Sequence, residues 1–382
     1  MSPRPTVALN ASILRAPRTG IGQYVAELAS ALQAQKLVCP ELFTGLAWQR
    51  TLPAAAMPGY SQISRLIKRV VPDAYRVRRV VEQARFNQGV RRIRPALYHE
   101  PSLWPFEFDG PMVMTLHDLT HVHYPHTQPR DRLAAIERHA GQSVLRAQRI
   151  LVDSQFIADE VCKHYGVPAQ RVVVAPLGHA ARFHPRSAAQ LMPLLATLGL
   201  QPGKYLLCVG TLEPRKNLQL ALHAHERLPA ALRACYPLVL AGMAGWKSQQ
   251  LAEPLQRAIA RGQVRLLGYQ SNESLAQLFA GARLLLFPSL YEGFGLPVLE
   301  AMASGTPVIA TQASALPEVA GEAGHYIDPC DDSGCAAAMT QLIEDHSHWQ
   351  RLREAGLARA QSYTWQRCAQ ITAGAYHEAL AG

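Results

Sequence analysis

Short apolar runs of strand length recur along the whole chain, and segments with helical spacing of apolar residues separate them. These strand-like runs lie at residues 6–11, 96–101, 112–118, 149–154, 171–178, 204–210, 236–242, 264–269, 282–288 and 306–311. Continuous apolar strands that alternate with helices are typical of parallel sheets with helices on both faces. The pattern therefore predicts an α/β protein built from two doubly wound parallel sheets.

The alternation is interrupted once, by a segment that contains three prolines. A chain of 382 residues has room for two domains. We therefore predict a first domain at residues 1–180, a linker at 181–203 and a second domain at 204–361. The remaining residues, 362–382, have the pattern of a helix, and we expect this helix to return to the first domain.

The composition favours a folded core, with 48% hydrophobic and 17% charged residues. No uninterrupted apolar stretch of about 18 residues is present, so no membrane-spanning helix is expected. The beginning of the sequence lacks the pattern of a signal peptide. Seven cysteines form no CxxC pair and are expected to be reduced thiols. These observations predict a cytoplasmic protein.

The net charge of +10 is unevenly distributed, because residues 1–190 carry +11 and residues 191–382 carry −1. The basic excess is concentrated between Arg65 and Arg94, where valines and isoleucines lie between the charges. Such a segment can pack on its own domain, or it can bind an anionic inner-membrane surface. Nucleic acid is not expected as a partner, because no nucleic-acid motif accompanies the charge.

Residues 289–310 form the most distinctive motif, in which two carboxylates, Glu292 and Glu300, flank a glycine-containing turn that opens a helix. The turn, from Gly293 to Leu296, follows a predicted strand, where α/β sheets bind ligands. Free N–H groups at a helix start favour phosphate. The two carboxylates can be an acid/base pair or can bind sugar hydroxyls. We favour hydroxyl binding, because the phosphate-binding helix start lies between them.

A second motif follows the strand-like run that ends at Gly210. Arg215 and Lys216 stand there before a helix that begins near Asn217. Two cations beside a helix N-terminus can bind a diphosphate, with arginine acting as a fork and lysine as a point charge. The alternative is that both are ordinary surface charges on a loop.

Two weaker motifs lie in the first half of the chain. Gly20 and Gly22 precede a helix and allow close approach of a phosphate or sugar, but the third glycine of the dinucleotide fingerprint is missing. His117 follows a predicted buried strand and can bind a sugar hydroxyl; the alternative is a histidine packed in the core. The histidines at 117, 121, 123 and 126 lack the spacing of a ligand set, so no metal site is predicted.

Together these motifs resemble the retaining glycosyltransferases of family 4, which have the GT-B fold of two Rossmann-like domains facing across a cleft. The resemblance is carried by E-x7-E from Glu292 to Glu300, GTLEPRKN at 210–217, HDL at 117–119 and GIG at 20–22. It is weakest over residues 35–95. One departure is Leu177, where the family often has asparagine.

The resemblance implies that four residues carry the reaction. Glu292 would bind hydroxyls of the donor sugar, and His117 would contact that sugar near its reacting face. Arg215 and Lys216 would stabilise the departing diphosphate. It further implies that the donor is bound by a set of mostly glycine and loop residues: Gly20, Gly22, Gly210, Tyr269, Gly293, Phe294, Gly295, Leu296 and Glu300. Within this set, Glu300 would bind the ribose and Tyr269 would lie near the base.

The activity implied is transfer of a hexose from a nucleotide diphosphate sugar to a glycan or to a polyprenyl-diphosphate-linked oligosaccharide. The segments GTLEPRKN and LVLAGMAGW (238–246) are most similar to mannosyl- and rhamnosyltransferases of surface polysaccharide and O-antigen assembly, which favours GDP-sugars over UDP-sugars. No metal and no cofactor besides the donor are expected. An enzyme of this kind would work at the inner face of the cytoplasmic membrane. An epimerase, a phosphorylase or a catalytically silent binding protein of the same fold is the alternative.

Overall fold

The computed structural model describes residues 4–15, 20–53, 74–127, 130–243 and 249–382. The chain forms two compact units. The first unit contains Met1–Leu119, Ala134–Leu177 and Trp365–Gly382, and the second contains Thr120–Leu133 and Gly178–Thr364. Each unit is built around one sheet.

The first sheet has seven strands in the order β3-β2-β1-β4-β5-β6-β7, parallel except for the β2–β3 pair. These strands are β1 (Thr6–Asn10), β2 (Cys39–Phe43), β3 (Trp48–Gln49), β4 (Leu97–Glu100), β5 (Met112–Leu116), β6 (Arg149–Val152) and β7 (Val172–Val174). The central strands are buried on both faces, as their apolar sequences require. Their carboxyl ends bring polar residues to one edge of the sheet.

Helices of the first half of the chain and the final helix accompany this sheet, at Ile21–Ala34, Ala74–Ile93, Arg130–Arg146, Gln155–Tyr165 and Trp365–Ala381, with short 3-10 turns at Ser12–Arg15 and Ala169–Arg171. The helix that follows β6 has clear local signals. Ser154 accepts a hydrogen bond from the Ile157 N–H at its start, and Gly166 ends it in the left-handed conformation. The final helix buries Trp365, Cys368 and Tyr376 in the first unit.

The second sheet has six strands, all parallel, in the order β10-β9-β8-β11-β12-β13. They are β8 (Leu206–Val209), β9 (Leu238–Ala241), β10 (Val264–Gly268), β11 (Leu284–Phe287), β12 (Val308–Thr311) and β13 (Gly324–Ile327). Its helices are Thr120–His123, Ala188–Thr197, Leu218–Arg227, Ala230–Cys235, Gln249–Ala260, Asn272–Gly281, Leu296–Ala303, Leu316–Ala320, Asp332–Glu344 and His346–Ala360, with 3-10 turns at Pro125–Thr127, Pro214–Lys216 and Gly321–Ala323.

The predicted α/β class with two parallel sheets is confirmed, and each predicted strand-like run contains an observed strand. The sequence did not predict β2, β3 or β13. Strand β2 contains Pro40 and Glu41, which mask an apolar pattern, although Glu41 is buried and forms an ion pair with Arg50 at 2.6 Å. Strand β3 is too short to produce a pattern.

The two units do not follow the predicted boundaries throughout. Residues 120–133, predicted in the first domain, belong to the second unit, where the rings of His123 and Tyr124 contact Tyr291. The segment predicted as a linker contains the helix Ala188–Thr197, which begins with a capping box between Ser187 and Gln190. In the described ranges, no helix combines the length and apolar character needed to cross a bilayer.

Candidate active site

The loops at the carboxyl edge of the second sheet approach each other closely. Gly210 follows β8, and Gly242 follows β9 with a φ of +159°. A Cβ atom at Gly242 would lie 1.8 Å from the Gly210 carbonyl oxygen, so only glycine fits there. Lys216 passes close to Gly210, since a Cβ at Gly210 would lie 3.3 Å from the lysine Cε. The glycines thus allow the backbone and Lys216 to crowd at the end of β8.

Four charged side chains meet beside this edge, and we call them the ion cluster: Glu213, Arg215, Lys216 and Glu292. Lys216 Nζ lies 2.5 Å from Glu292 Oε1, and Arg215 Nη1 lies 3.0 Å from Glu292 Oε2. Arg215 Nη2 also contacts Glu213 Oε1 at 2.7 Å. The four side chains are only 10–14% exposed. Both predicted cations therefore bind the predicted sugar-binding carboxylate, and the ordinary surface-charge alternative does not describe them.

The ion cluster shifts the pKa values of its members. Burial alone would raise the pKa of Glu292, but the opposing charges of Arg215 and Lys216 lower it to about 2. Burial also lowers the pKa of Lys216, and Glu292 offsets part of that effect. The cluster contains two carboxylates and two cations, so its formal charge is zero at neutral pH. A bound anion must therefore compete with Glu292 for the two cations.

The turn between Glu292 and the helix Leu296–Ala303 is held by backbone contacts. The Glu292 N–H donates to Ser314 Oγ at 2.9 Å, and Arg215 donates to the Tyr291 carbonyl. Gly295 begins the helix with a φ of +97°, and a Cβ there would lie 2.6 Å from Leu316 Cδ2. The predicted anion-binding turn is thus a rigid, glycine-dependent helix start. Glu300 lies inside that helix, half-buried.

In the first unit, His117 follows β5 and contacts the residue that follows β6. His117 Nδ1 lies 2.8 Å from Asp153 Oδ2, and the two side chains are 15% and 4% exposed. Burial alone would lower the pKa of His117, but the Asp153 carboxylate, with smaller contributions from Asp118 and the Pro101 carbonyl, raises it. Asp153 was not predicted as a site residue, although its place near the end of the predicted strand-like run at 149–154 was an available signal.

The glycine motif at 20–22 is connected to His117 through the helix that it opens. Gly20 precedes this helix with a φ of +46°, and Gly22 is buried within it. The ring of Tyr24, on the first turn, meets the ring of His117 edge to face, with centroids 4.6 Å apart. The two weak motifs of the first half therefore belong to one structural arrangement within the first unit.

A further buried cluster at the carboxyl ends of β1 and β4 was not predicted. Glu100 accepts hydrogen bonds from Asn10 at 2.8 Å, from Ser102 at 2.5 Å and from the Tyr98 hydroxyl. Burial raises the pKa of Glu100 to about 7, and these hydrogen bonds limit the rise. Both carboxylate oxygens of Glu100 thus accept hydrogen bonds from within the protein. We therefore interpret this cluster as a support of the sheet edge.

The other predicted residues are placed as follows. Tyr269 comes directly after β10 and is 48% exposed, which leaves its ring accessible. Leu177, where the resembling family often has asparagine, is buried and serves as a core residue. No group of three or more metal-binding side chains converges among the residues that the structure describes.

The basic segment from Arg65 to Arg94 is described only from residue 74 onwards; its beginning lies outside the described residues. One face of the helix Ala74–Ile93 packs on the first unit, where Phe86 is buried among aromatic rings and Glu82 binds Arg15 at 2.6 Å. The opposite face exposes Val80 and Val81 beside arginines. The helix thus packs on its own unit and keeps an exposed basic face with apolar residues.

Comparison with known proteins gives two family matches that together span most of the chain. Residues 18–180 match Glycosyltransferase Family 4, and residues 198–359 match Glycosyl transferases group 1. O-antigen chain mannosyltransferase B of Escherichia coli is 35% identical over 374 residues, covering 95% of this chain and 97% of the relative. The serotype-specific mannosyltransferase WbdA of Escherichia coli is 30% identical over 232 residues, which is 59% of this chain but only 28% of that protein.

Solved structures show the same architecture. Sucrose-phosphate synthase from Thermosynechococcus elongatus has a TM-score of 0.77 at 22% identity, covering 99% of this chain and 100% of the other. HepE from Anabaena, solved in complex with UDP-glucose, has a TM-score of 0.72 at 18% identity, covering 97% and 98%. At these identities the likeness establishes the fold.

Proposed function

The chain belongs to the GT-B glycosyltransferases of family 4, and we propose that it is a mannosyltransferase of O-antigen assembly that uses GDP-mannose with retention of configuration. The mannosyltransferase activity is supported by the 35% identity to an O-antigen chain mannosyltransferase over nearly the whole of both chains. The observation that carries the proposed chemistry is the ion cluster of Arg215, Lys216, Glu213 and Glu292.

Arg215 and Lys216 would stabilise the diphosphate as it leaves. In the structure both cations are neutralised by Glu292, with N···O distances of 3.0 and 2.5 Å. A diphosphate would take over part of these interactions, because its oxygens are strong acceptors for arginine and lysine. Glu292 would then be available to bind sugar hydroxyls. The helix start at Gly295 adds further N–H donors. This charge arrangement is the reason that we propose a metal-independent reaction.

Glu292 itself is a poor candidate for a covalent nucleophile, because each of its oxygens binds a cation. We propose instead a front-face transfer. The bond between the anomeric carbon and the phosphate oxygen breaks, the acceptor hydroxyl oxygen bonds to the same face of that carbon, and the acceptor proton moves to the departing phosphate oxygen. One carbon–oxygen bond forms as another breaks, the acceptor proton leaves with the phosphate, and the anomeric configuration is retained.

The donor can be identified by a thermal-shift panel of GDP- and UDP-sugars, since a bound donor raises the melting temperature with its concentration and affinity. We expect GDP-mannose to give the largest shift. A transfer assay with a polyprenyl-diphosphate-linked oligosaccharide then tests the activity, with and without EDTA, and NMR of the product gives the anomeric configuration. A larger shift with a UDP-sugar, an inverted product or loss of activity in EDTA would contradict the corresponding part of the proposal.

An acceptor-free assay separates the alternatives. An epimerase converts the nucleotide sugar without a glycan acceptor, and a phosphorylase consumes a glycan and inorganic phosphate without a nucleotide sugar. The proposed enzyme instead releases GDP at an appreciable rate only when acceptor is present. A catalytically silent protein would bind nucleotide and release no GDP under either condition.

We further propose that the exposed face of the helix Ala74–Ile93 contacts the anionic inner-membrane surface at which a polyprenyl-linked acceptor resides. The support is the combination of basic residues with Val80 and Val81, which are 68% and 46% exposed. Binding to anionic liposomes should weaken as salt is added, because the Debye length shortens. Equal binding to neutral and anionic liposomes would contradict this proposal.

A further inference from the structure

His117 is held by one ring nitrogen. Its Nδ1 atom lies 2.8 Å from Asp153 Oδ2, and the Asp153 side chain is 4% exposed. Its Nε2 atom is buried and has no hydrogen bond of normal geometry in the part of the chain that the structure describes. The Pro101 carbonyl contributes to the raised pKa of the ring, because a carbonyl acceptor favours the charged form, in which both ring nitrogens carry protons. The two nitrogens of this candidate site residue therefore have different environments.

The contact with Asp153 determines where the proton of a neutral His117 ring lies. An ionised carboxylate can only accept hydrogen bonds, so Nδ1 must be the donor. The proton is then on Nδ1 and the lone pair is on Nε2. An Nε2 lone pair accepts a hydrogen bond, and a sugar hydroxyl can donate one.

The plane of the His117 ring is fixed by a second set of contacts. The ring of Tyr24 packs against it at 4.6 Å with an interplanar angle of 78°. The Tyr24 hydroxyl lies 2.9 Å from Thr115 Oγ1, which lies 2.7 Å from His99 Nε2. His99 Nδ1 in turn lies 2.7 Å from the hydroxyl of Tyr376, on the final helix. We call these residues the buried chain: Tyr24, Thr115, His99 and Tyr376.

The buried chain is fully enclosed, and its members are at most 2% exposed. Burial lowers the pKa of His99 to about 3, so the ring is neutral and has one donor and one acceptor nitrogen. The two hydrogen bonds of His99 must then run in the same direction, either toward Tyr376 or away from it. Breaking one contact of the buried chain would leave a buried polar group unpaired, which costs free energy. The buried chain is therefore expected to keep its geometry.

We propose that Asp153 is a positioning residue of the transfer reaction, which fixes His117 in the Nδ1–H tautomer so that Nε2 accepts a hydrogen bond from a donor-sugar hydroxyl. The buried chain complements Asp153 by holding the ring plane through Tyr24, which makes the final helix part of the arrangement. The choice of a sugar as the Nε2 ligand rests on the proposed function, whereas the tautomer does not.

Other titratable groups surround the pair and enter its pH dependence. Asp118 raises the pKa of His117, as Asp153 does. His99 lies on the other side of Thr115 and stays neutral over the working pH range. Tyr24 and Cys368 also face Asp153, and burial raises the pKa of both, so neither is charged near neutral pH.

The tautomer can be measured in the free protein without any transfer activity. Long-range proton–nitrogen NMR of the ¹⁵N-histidine-labelled chain distinguishes Nδ1–H from Nε2–H, and a His117→Gln spectrum identifies the signal of His117 among the 15 histidines. We expect Nδ1–H in the neutral ring. A proton on Nε2 in the unmodified protein would overturn the proposal, whether or not the protein transfers mannose.

Asp153→Asn then tests the consequence for the reaction. We expect its His117 to titrate at lower pH, and kcat to fall by about tenfold to a hundredfold with little change in the donor KM, as for loss of a charge-assisted hydrogen bond. Asp159→Asn is the matched control, because Asp159 is exposed on the helix that follows Asp153 and accepts a hydrogen bond from Gln155 at 2.8 Å. Unchanged His117 titration and unchanged kcat in Asp153→Asn would overturn the positioning role.

Discussion

The ion cluster of the second unit and the buried chain of the first unit are both preorganised, but by different forces. The ion cluster consists of charges on two loops, and its side chains keep 10–14% exposure. The buried chain has no ion pair within it and connects two strands and two helices by hydrogen bonds. A ligand can exchange partners with the ion cluster, whereas the buried chain can only keep its geometry. One region is suited to respond to a donor, and the other is suited to fix a side chain.

The largest effect that separates the two regions is expected from Arg215→Ala. It removes a cation that binds Glu292 at 3.0 Å and that would stabilise the departing diphosphate. We expect kcat to fall by about 10²- to 10³-fold, the range for removal of one preorganised transition-state donor. Steady-state transfer assays with GDP-mannose measure it.

Arg257→Ala serves as the control for Arg215→Ala, because Arg257 pairs with Glu253 on an exposed helix face of the same unit. It should leave kcat near the unmodified value. A near-normal rate in Arg215→Ala would mean that the ion cluster stabilises the fold and does not take part in the reaction.

The pH dependence of stability gives the next largest effect. Glu292 has a folded pKa of about 2 against an ordinary value of 4.5, so folding favours its charged form. Its contribution to the free energy of unfolding is therefore complete above about pH 4.5 and is lost as the pH falls toward 2. The shift corresponds to about 3 kcal/mol.

Glu292→Gln should remove this part of the acid sensitivity. We expect the variant to be less stable than the unmodified protein at pH 7, where it removes the carboxylate that both Arg215 and Lys216 bind, and the difference to narrow at low pH. Urea unfolding at several pH values measures both. A difference that stays constant from pH 7 to pH 3 would show that Glu292 has no depressed pKa.

The sequence identified three residues of the ion cluster, Arg215, Lys216 and Glu292, and none of the buried chain, and the reason is physical. Arg215 and Lys216 are adjacent, and Glu292 lies at the end of a recognisable strand, so each could be placed at a sheet edge from local pattern alone. Their direct pairing was not predicted, because it depends on how the loop after β8 meets the loop after β11.

The buried chain left almost no local signal. Thr115 lies in an apolar strand, and His99 lies in another strand directly before Glu100. From the sequence alone, Thr115 and His99 are equally consistent with simple packing in the core. Tyr376 comes from a helix more than 250 residues farther along the chain. Residues that are brought together only by strand order and by the return of the final helix cannot be paired from a single sequence.

The smallest predicted effects are losses of unfolding free energy at two contacts of the final helix. Tyr376→Phe removes the hydroxyl 2.7 Å from His99 Nδ1 and leaves a buried nitrogen unpaired, so we expect a loss of about 1–3 kcal/mol in unfolding free energy. Glu378→Gln removes an ion pair with Arg149 at 2.9 Å whose carboxylate is 56% exposed, and such pairs contribute at most about 1 kcal/mol.

Added salt distinguishes these two contacts, because it screens the exposed ion pair and leaves the buried hydrogen bond unchanged. In urea unfolding experiments, the deficit of Tyr376→Phe should therefore persist at high salt, while the deficit of Glu378→Gln should disappear. If both deficits vanished with salt, the final helix would be held by surface charge, and it could not transmit rigidity to His117. If only the first persists, the helix is anchored from the interior, as the positioning of Tyr24 and His117 requires.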